Sequence, residues 1–212
     1  MSVFWEPLKY VFAGVGGLAG FSLFAQLLTT DVLLDQDAMQ AESAATELER
    51  GAMKQYRIGE SPATALATYS KKLAWEKLEA AKSPGEKAQI AAAVFMGYWM
   101  ANGRGRLEIC AENGVDIGPV VEEFQRRNAD LHDRATALLS DEGVSEDRLF
   151  EIHRGPIKRQ IGYDMLYMFG APMSLKDSCV RLNQEATKFL PRTDFDKVEP
   201  GIAYIIRKAP LS

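Results

Sequence analysis

Between Tyr10 and Leu28 nineteen residues, YVFAGVGGLAGFSLFAQLL, pass without a charge. A helix rises about 1.5 Å per residue, so the run has about the length needed to cross the hydrocarbon core of a bilayer. Gln26 is its only strongly polar side chain. Trp5 and Tyr10 stand at its front, where amphipathic rings favour the membrane interface, and Lys9 can snorkel to the same level. The run is longer than the apolar region of a signal peptide, and the pair Phe24 and Ala25 before Gln26 fits a cleavage site poorly. Lys9 and the amino terminus, opposed by Glu6, also supply little positive charge for an export signal. A retained single-span anchor over residues 1–30 is the expectation, and a cleaved signal peptide is the competing reading. Gly16 and Gly20 share one helical face and would let another membrane helix approach closely. Gly14, Gly16 and Ala19 also spell G-x-G-x-x-A, the outline of a dinucleotide-binding turn. That turn needs repeated βαβ units and an acidic residue about 20 positions on. Residues 36 to 57 are instead Ala, Glu, Gln and Met at helical spacing, so the context fails.

Beyond the run, Asp31, Asp35, Asp37, Glu42, Glu47 and Glu49 arrive before the first base, Arg50. Topology follows bases rather than acids, and this flank supports a short cytoplasmic N-terminus with the bulk of the chain exported. Cys110 and Cys179 then form an even pair in an oxidising compartment, where a disulfide is expected. The placement expected is a bacterial inner membrane, crossed once, with most of the chain in the periplasm. A formal charge of −4 argues against a general nucleic-acid binder, which needs a basic face for phosphates. Charge is nevertheless uneven, because residues 153 to 212 carry ten bases against six acids. That asymmetry suits an acidic partner, lipid headgroups, or the acidic segment of a neighbouring copy.

The rest of the chain reads as helices, which makes the fold class all-α: a membrane-spanning helix, an acidic helical stalk over 31–60, and a helical hairpin or bundle over 61–212. Ser61-Pro62 and Ser83-Pro84 are N-cap and N1 pairs that start helices. Residues 36 to 57 form a polar helix with a thin apolar stripe, able to continue the membrane helix or to pair with a partner. Residues 62 to 82 follow. AQIAAAVFMGYWMANG, residues 88 to 103, is apolar almost all round, too short to span, and reads as a buried central helix stopped by Gly103. A short helix then ends at Gly114, and a long one runs from Asp116 and Pro119 to about Ser140. Ser145 opens the next, which Pro156 is expected to kink or break. Ser174 and Asp177 resemble a shortened capping box for a helix that Pro191 ends. The last stretch, GIAYIIRKAPLS, is rich in β-branched residues and reads as an extended C-terminal segment.

Chemistry is sparse. The chain lacks HExxH, CxxC, GxSxG, a phosphate-binding GxxxxGK[ST] and an EF-hand loop, and no motif implies a cofactor or metal. His132 and His153 lie in unrelated contexts, and solvated or capping roles suit them better than zinc. Tyr98, Trp99, Arg104 and Arg106 cluster at the end of the aromatic helix, where a groove for a peptide or glycan is one reading. Arginines simply paired with the neighbouring Glu108 and Glu112 are the other. Arg207 and Lys208 mark a possible docking site in the basic C-terminal part. The function expected is a structural or assembly subunit of an envelope complex, contacting other membrane subunits, lipid or copies of itself. The alternatives are an exported enzyme using Glu108 and Glu112 on cell-wall glycan, and a soluble periplasmic binding or chaperone-like protein.

Overall fold

The structure is a computed structural model that describes residues 34–56, 60–140 and 145–211. Its described residues are helical, with no strand among them. They form α1 (Leu34–Lys54), α2 (Pro62–Ala80), α3 (Pro84–Met100), a π-helical turn (Ala101–Gly105), α4 (Arg106–Glu112), α5 (Gly118–Leu139), α6 (Glu146–Tyr167), α7 (Leu175–Gln184), α8 (Ala186–Phe189), a 3₁₀ turn (Leu190–Arg192), α9 (Phe195–Val198) and α10 (Pro200–Lys208). No helix among the described residues is long and apolar enough to cross a membrane. The expected span over Tyr10 to Leu28, with Gly16 and Gly20, lies outside the described residues.

Serine caps start four of these helices. The amides of Thr64 and Glu86 each donate to the hydroxyl three residues back, Ser61 and Ser83, at 3.1 Å, with proline in the first turn. Ser145 and Ser174 accept in the same way from Arg148 and Asp177 at 3.3 and 3.1 Å. Each cap satisfies an amide that helix geometry leaves open and contributes about 1 kcal/mol. Gly114 closes α4 at φ 72°, a left-handed conformation that a side chain would resist.

α3 is the centre of the molecule. From Ala91 to Met100 it is buried on every side, packed by α5, α10 and α2. Phe95 meets Phe195 edge-on at 5.0 Å, and Tyr98 lies 5.0 Å from Phe195 and 5.8 Å from Phe124. The stop expected at Gly103 does not occur. The chain widens into the π turn and continues as α4, so a helical path runs from Pro84 to Glu112. At Gly105 the absent side chain admits Ile157 of α6, whereas a Cβ at Gly103 would meet only Gln125 Nε2 at 3.7 Å, an ordinary contact.

Three further expectations are corrected. The acidic segment is no free stalk: Ala41, Ala45, Leu48 and Ala52 of α1 are buried, and α1 packs along α2 and α6 of its own chain. Its contact face is built largely from alanines, which allow close approach yet leave only a faint apolar stripe in the sequence. Arg159 of α6 fixes it in place, its Nε donating to Glu49 at 2.7 Å and an Nη to Glu42 at 2.5 Å. Of the kink or break expected at Pro156, the break does not occur: α6 runs on for 22 residues with the proline buried inside it. A mid-helix proline costs about 3 kcal/mol, and burial of the flanking Ile152, His153, Ile157 and Ile161 offsets it. The C-terminal stretch is α10 rather than extended chain. Pro200 occupies its first turn, and Ile202, Ala203 and Ile206 form a helical stripe that is buried against α3 and α5. That burial overrides the β preference of its isoleucines.

Gly105 gives a direct check on the crossing of the π turn over α6. A Cβ there would lie 2.7 Å from Ile157 Cγ2, a branch held next to the main chain with little room to move. Gly105→Ala is expected to destabilise by about 1–2 kcal/mol despite the better helix propensity of alanine. Gly162→Ala, where a Cβ meets nothing within 4 Å, is expected to stabilise by up to about 1 kcal/mol. Urea denaturation of both variants reads the contrast directly.

Candidate functional site

Tyr98, Trp99, Arg104 and Arg106 do not line a common groove. Tyr98 and Arg106 are 1% and 2% exposed, inside the core, and burial pushes the Tyr98 phenol well above its ordinary range. The π turn explains the inward course of Arg106, because one residue added to a helical turn advances every following side chain by roughly 100°. Arg106 is held there by acceptors on several sides. One Nη donates to Asp164 Oδ2 at 2.5 Å, Nε donates to Asn102 Oδ1 at 3.0 Å, and the other Nη faces Met168 Sδ at 3.8 Å. The guanidinium also lies 5.3 Å from the Phe189 ring. Asp164 is itself 5% exposed, so this is a buried ion pair joining α4 to α6. Asn102 completes the network by donating to the Tyr98 carbonyl at 3.0 Å.

Arg104 takes the outer side of the same turn. It covers the Phe150 ring at 4.1 Å and pairs with Asp147 at 2.6 Å. Beside it, Trp99 stacks on His132 with 4.1 Å between ring centroids, and its indole Nε1 donates to Glu146 Oε1 at 3.1 Å. Glu146 Oε2 lies 2.9 Å from His132 Nε2. Three elements, α3, α5 and the first turn of α6, therefore meet at one histidine. His153 has a different setting: it is 1% exposed, and burial pushes its imidazole down to about 4. No group of three His, Cys, Asp or Glu side chains among the described residues is placed to hold a metal ion.

Glu108 and Glu112 do not pair with Arg104 and Arg106 as neighbours. They reach across to α6, Glu108 accepting from Arg154 at 2.9 Å and Glu112 from Lys158. Each carboxylate of the glycosidase reading thus engages its own cation. Cys110 and Cys179 are bridged, with Cα atoms 5.5 Å apart and both residues fully buried, which ties α4 to α7. Next to the bridge, Val115, Val180, Asn183 and Gln184 line an open depression. A smaller cavity of about 60 Å³ has Met168, Phe169 and Phe189 in its walls and Glu185, Lys188 and Arg192 around it.

At the C-terminal end the two docking candidates separate. Arg207 is engaged within the chain, by Asp130 and, at 2.7 Å, by Asp196. Lys208 is exposed, its Nζ 6.0 Å from the ring of Tyr204, which is 62% exposed. Arg134 closes α10 by donating to the carbonyls of Ile206 and Ala209 at 3.2 and 2.8 Å. Tyr204 lies in the stretch that reads as an extended segment, so the sequence gives no signal for its place on a helix face. Asp164 had a visible signal, a lone carboxylate on the apolar face shared by Ile157, Ile161 and Met168. Glu146 had none beyond its place after a serine cap. Comparison with protein-family models, with curated proteins and with solved structures returned no match to this chain.

Proposed function

We propose that this chain is a single-span protein of a bacterial inner membrane, anchored by Tyr10 to Leu28, whose helical domain faces the periplasm and serves as a structural or assembly subunit. The observation that carries the reading is the bridge between Cys110 and Cys179, since disulfides form and persist in oxidising compartments and an uncharged nineteen-residue run precedes the domain. Contact with other subunits falls to the outer face of α10. Tyr204 presents a large ring with a polar tip beside the cation of Lys208, the side-chain types that anchor protein interfaces. Arg207 shapes that face from within the fold, because its carboxylate partners lie on the same chain.

Alkaline phosphatase fused after Ser212 of the full-length chain is expected to be active, because that enzyme needs an oxidising compartment. Detergent extracts of the native membrane are expected to yield stoichiometric companions. Their recovery should fall about tenfold in Tyr204→Ala/Lys208→Glu, with stability changed by no more than about 0.5 kcal/mol. An inactive fusion overturns the topology. Unchanged companions in the double variant overturn the interface, and a chain recovered alone overturns the subunit role.

A further inference from the structure

A ring nitrogen hydrogen-bonds a carboxylate only as a donor, and a neutral imidazole has a single N–H. Both ring nitrogens of His132 face carboxylates. Nε2 is 2.9 Å from Glu146 Oε2, and Nδ1 is 3.6 Å from Asp133 Oδ1. The first is a hydrogen bond and the second a longer charge contact: a neutral ring can keep the first through its one N–H, whereas only the imidazolium makes that bond charge-assisted and places a positive charge between both carboxylates. Its ring lies on the Trp99 indole, inclined by 26°, and a cation on an indole face is attracted by the ring quadrupole. Glu146 binds this pair from both of its oxygens, taking Trp99 Nε1 on one and His132 Nε2 on the other. Among the described residues the charged groups around the ring are few. α5 supplies Asp133, α6 supplies Glu146 and Asp147, and the π turn supplies Arg104, which pairs with Asp147 and also acts on Glu146. From α3 the ring meets uncharged Trp99.

We propose that His132 is a pH-operated clip: as an imidazolium it fastens the first turn of α6 to α3 and α5, and on losing its proton it lets that turn loosen. The sign and the window follow from the two partners. Its hydrogen bond to Glu146 raises His132 above the ordinary value of about 6.5, against the opposing effect of burial. Its contribution is therefore fully present below about pH 6.5 and is lost as pH rises through the raised value. The same bond holds Glu146 below the ordinary carboxylate value, so its contribution is present above about pH 4.5 and is lost as pH falls through the depressed value. The clip is tightest between those limits and opens on the alkaline side. Because it is built within one chain, it stands whether or not the proposed topology holds.

With two histidines in the chain and burial pushing His153 down to about 4, the two titrations separate and that of His132 can be followed by itself. NMR of the full-length chain between pH 5 and 9 is expected to place the His132 midpoint above about 6.5, and Glu146→Gln to bring it back towards that value. Hydrogen exchange, corrected for the intrinsic pH dependence of the amides, is expected to show the first turn of α6 opening more at pH 8.5 than at pH 6. The increase should be about tenfold for each unit by which the midpoint is raised. The Arg148 amide, bonded to Ser145 Oγ, is the reporter. In His132→Gln this pH dependence should vanish. A wild-type midpoint at or below about 6.5, opening that is flat with pH, or the same pH dependence in His132→Gln would each overturn the proposal. Should the glutamine variant fail to fold, the wild-type titration and Glu146→Gln still decide it.

Discussion

Arg106→Met is expected to lower the stability of the domain by about 3–5 kcal/mol, a large share of the roughly 5–15 kcal/mol that holds a domain of ordinary stability together. The cost comes from what the substitution leaves behind rather than from the ion pair alone. Asp164, 5% exposed, would keep its carboxylate in the interior without the guanidinium 2.5 Å away, and Asn102 would lose the donor to its Oδ1. A buried unpaired charge pays its full desolvation penalty. Asp164→Leu is expected to be comparably damaging, since it strands the cation instead. The double variant Arg106→Met/Asp164→Leu should recover most of the loss, because well-packed apolar side chains often match or exceed a buried ion pair. A double-mutant cycle by urea denaturation, with a coupling of at least about 2 kcal/mol, is the expected result. Additive losses would mean that the pair is not a unit and that each side chain acts through its own packing.

That pair also marks where the sequence stopped being legible. The helix starts could be read at Ser61, Ser83, Ser145 and Ser174 because a cap is a local device, complete within four residues. The burial of α3 could be read for a similar reason, since its apolar residues surround the helix axis. What failed was long-range. Arg106 sits 58 positions from Asp164, and its inward course depends on the π turn, which no spacing rule exposes. Gly103 resembles a helix stop because glycine is common at helix ends, whereas the chain runs through it in the π turn and on into α4. α1 looked like a free stalk because alanine packs well while adding little apolar contrast. α10 looks extended in the sequence because three isoleucines and two prolines suggest it, whereas the pattern Ile202, Ala203, Ile206 fits a helix only once α3 and α5 are there to receive it. His132 reads as solvated in the sequence because its own helix face is polar, and it is the Trp99 ring from another helix that covers it. The cysteine pair was the exception among distant contacts: with only two thiols, parity and compartment sufficed to join them.

Removing that bridge carries the other large effect. Cys110→Ala/Cys179→Ala is expected to destabilise the domain by about 4 kcal/mol, the chain-entropy value for closing a loop of the observed sequence separation of 69, and to lower the melting temperature by about 10 °C. Little of that change should come from the folded packing. Alanine fills part of the space of each buried sulfur, α4 still carries the buried Ile109 beside it, and α7 still carries Leu182. The distinction is measurable. If the bridge acts mainly on the unfolded chain, the variant should keep the near-ultraviolet dichroism of the native domain, and its denaturant dependence should steepen as the unfolded ensemble expands. Native dichroism lost at low temperature would show instead that the bridge holds α7 in place. Thiol labelling of the unmodified protein separates the compartment from the energetics. Both cysteines are fully buried, so a maleimide without denaturant reports only accessibility. After denaturation without reductant, chain isolated from its native membrane is expected to take up no maleimide, and after reduction to take up two. Two labels before reduction would show that the thiols stay reduced in the cell, and the periplasmic placement would fall with them.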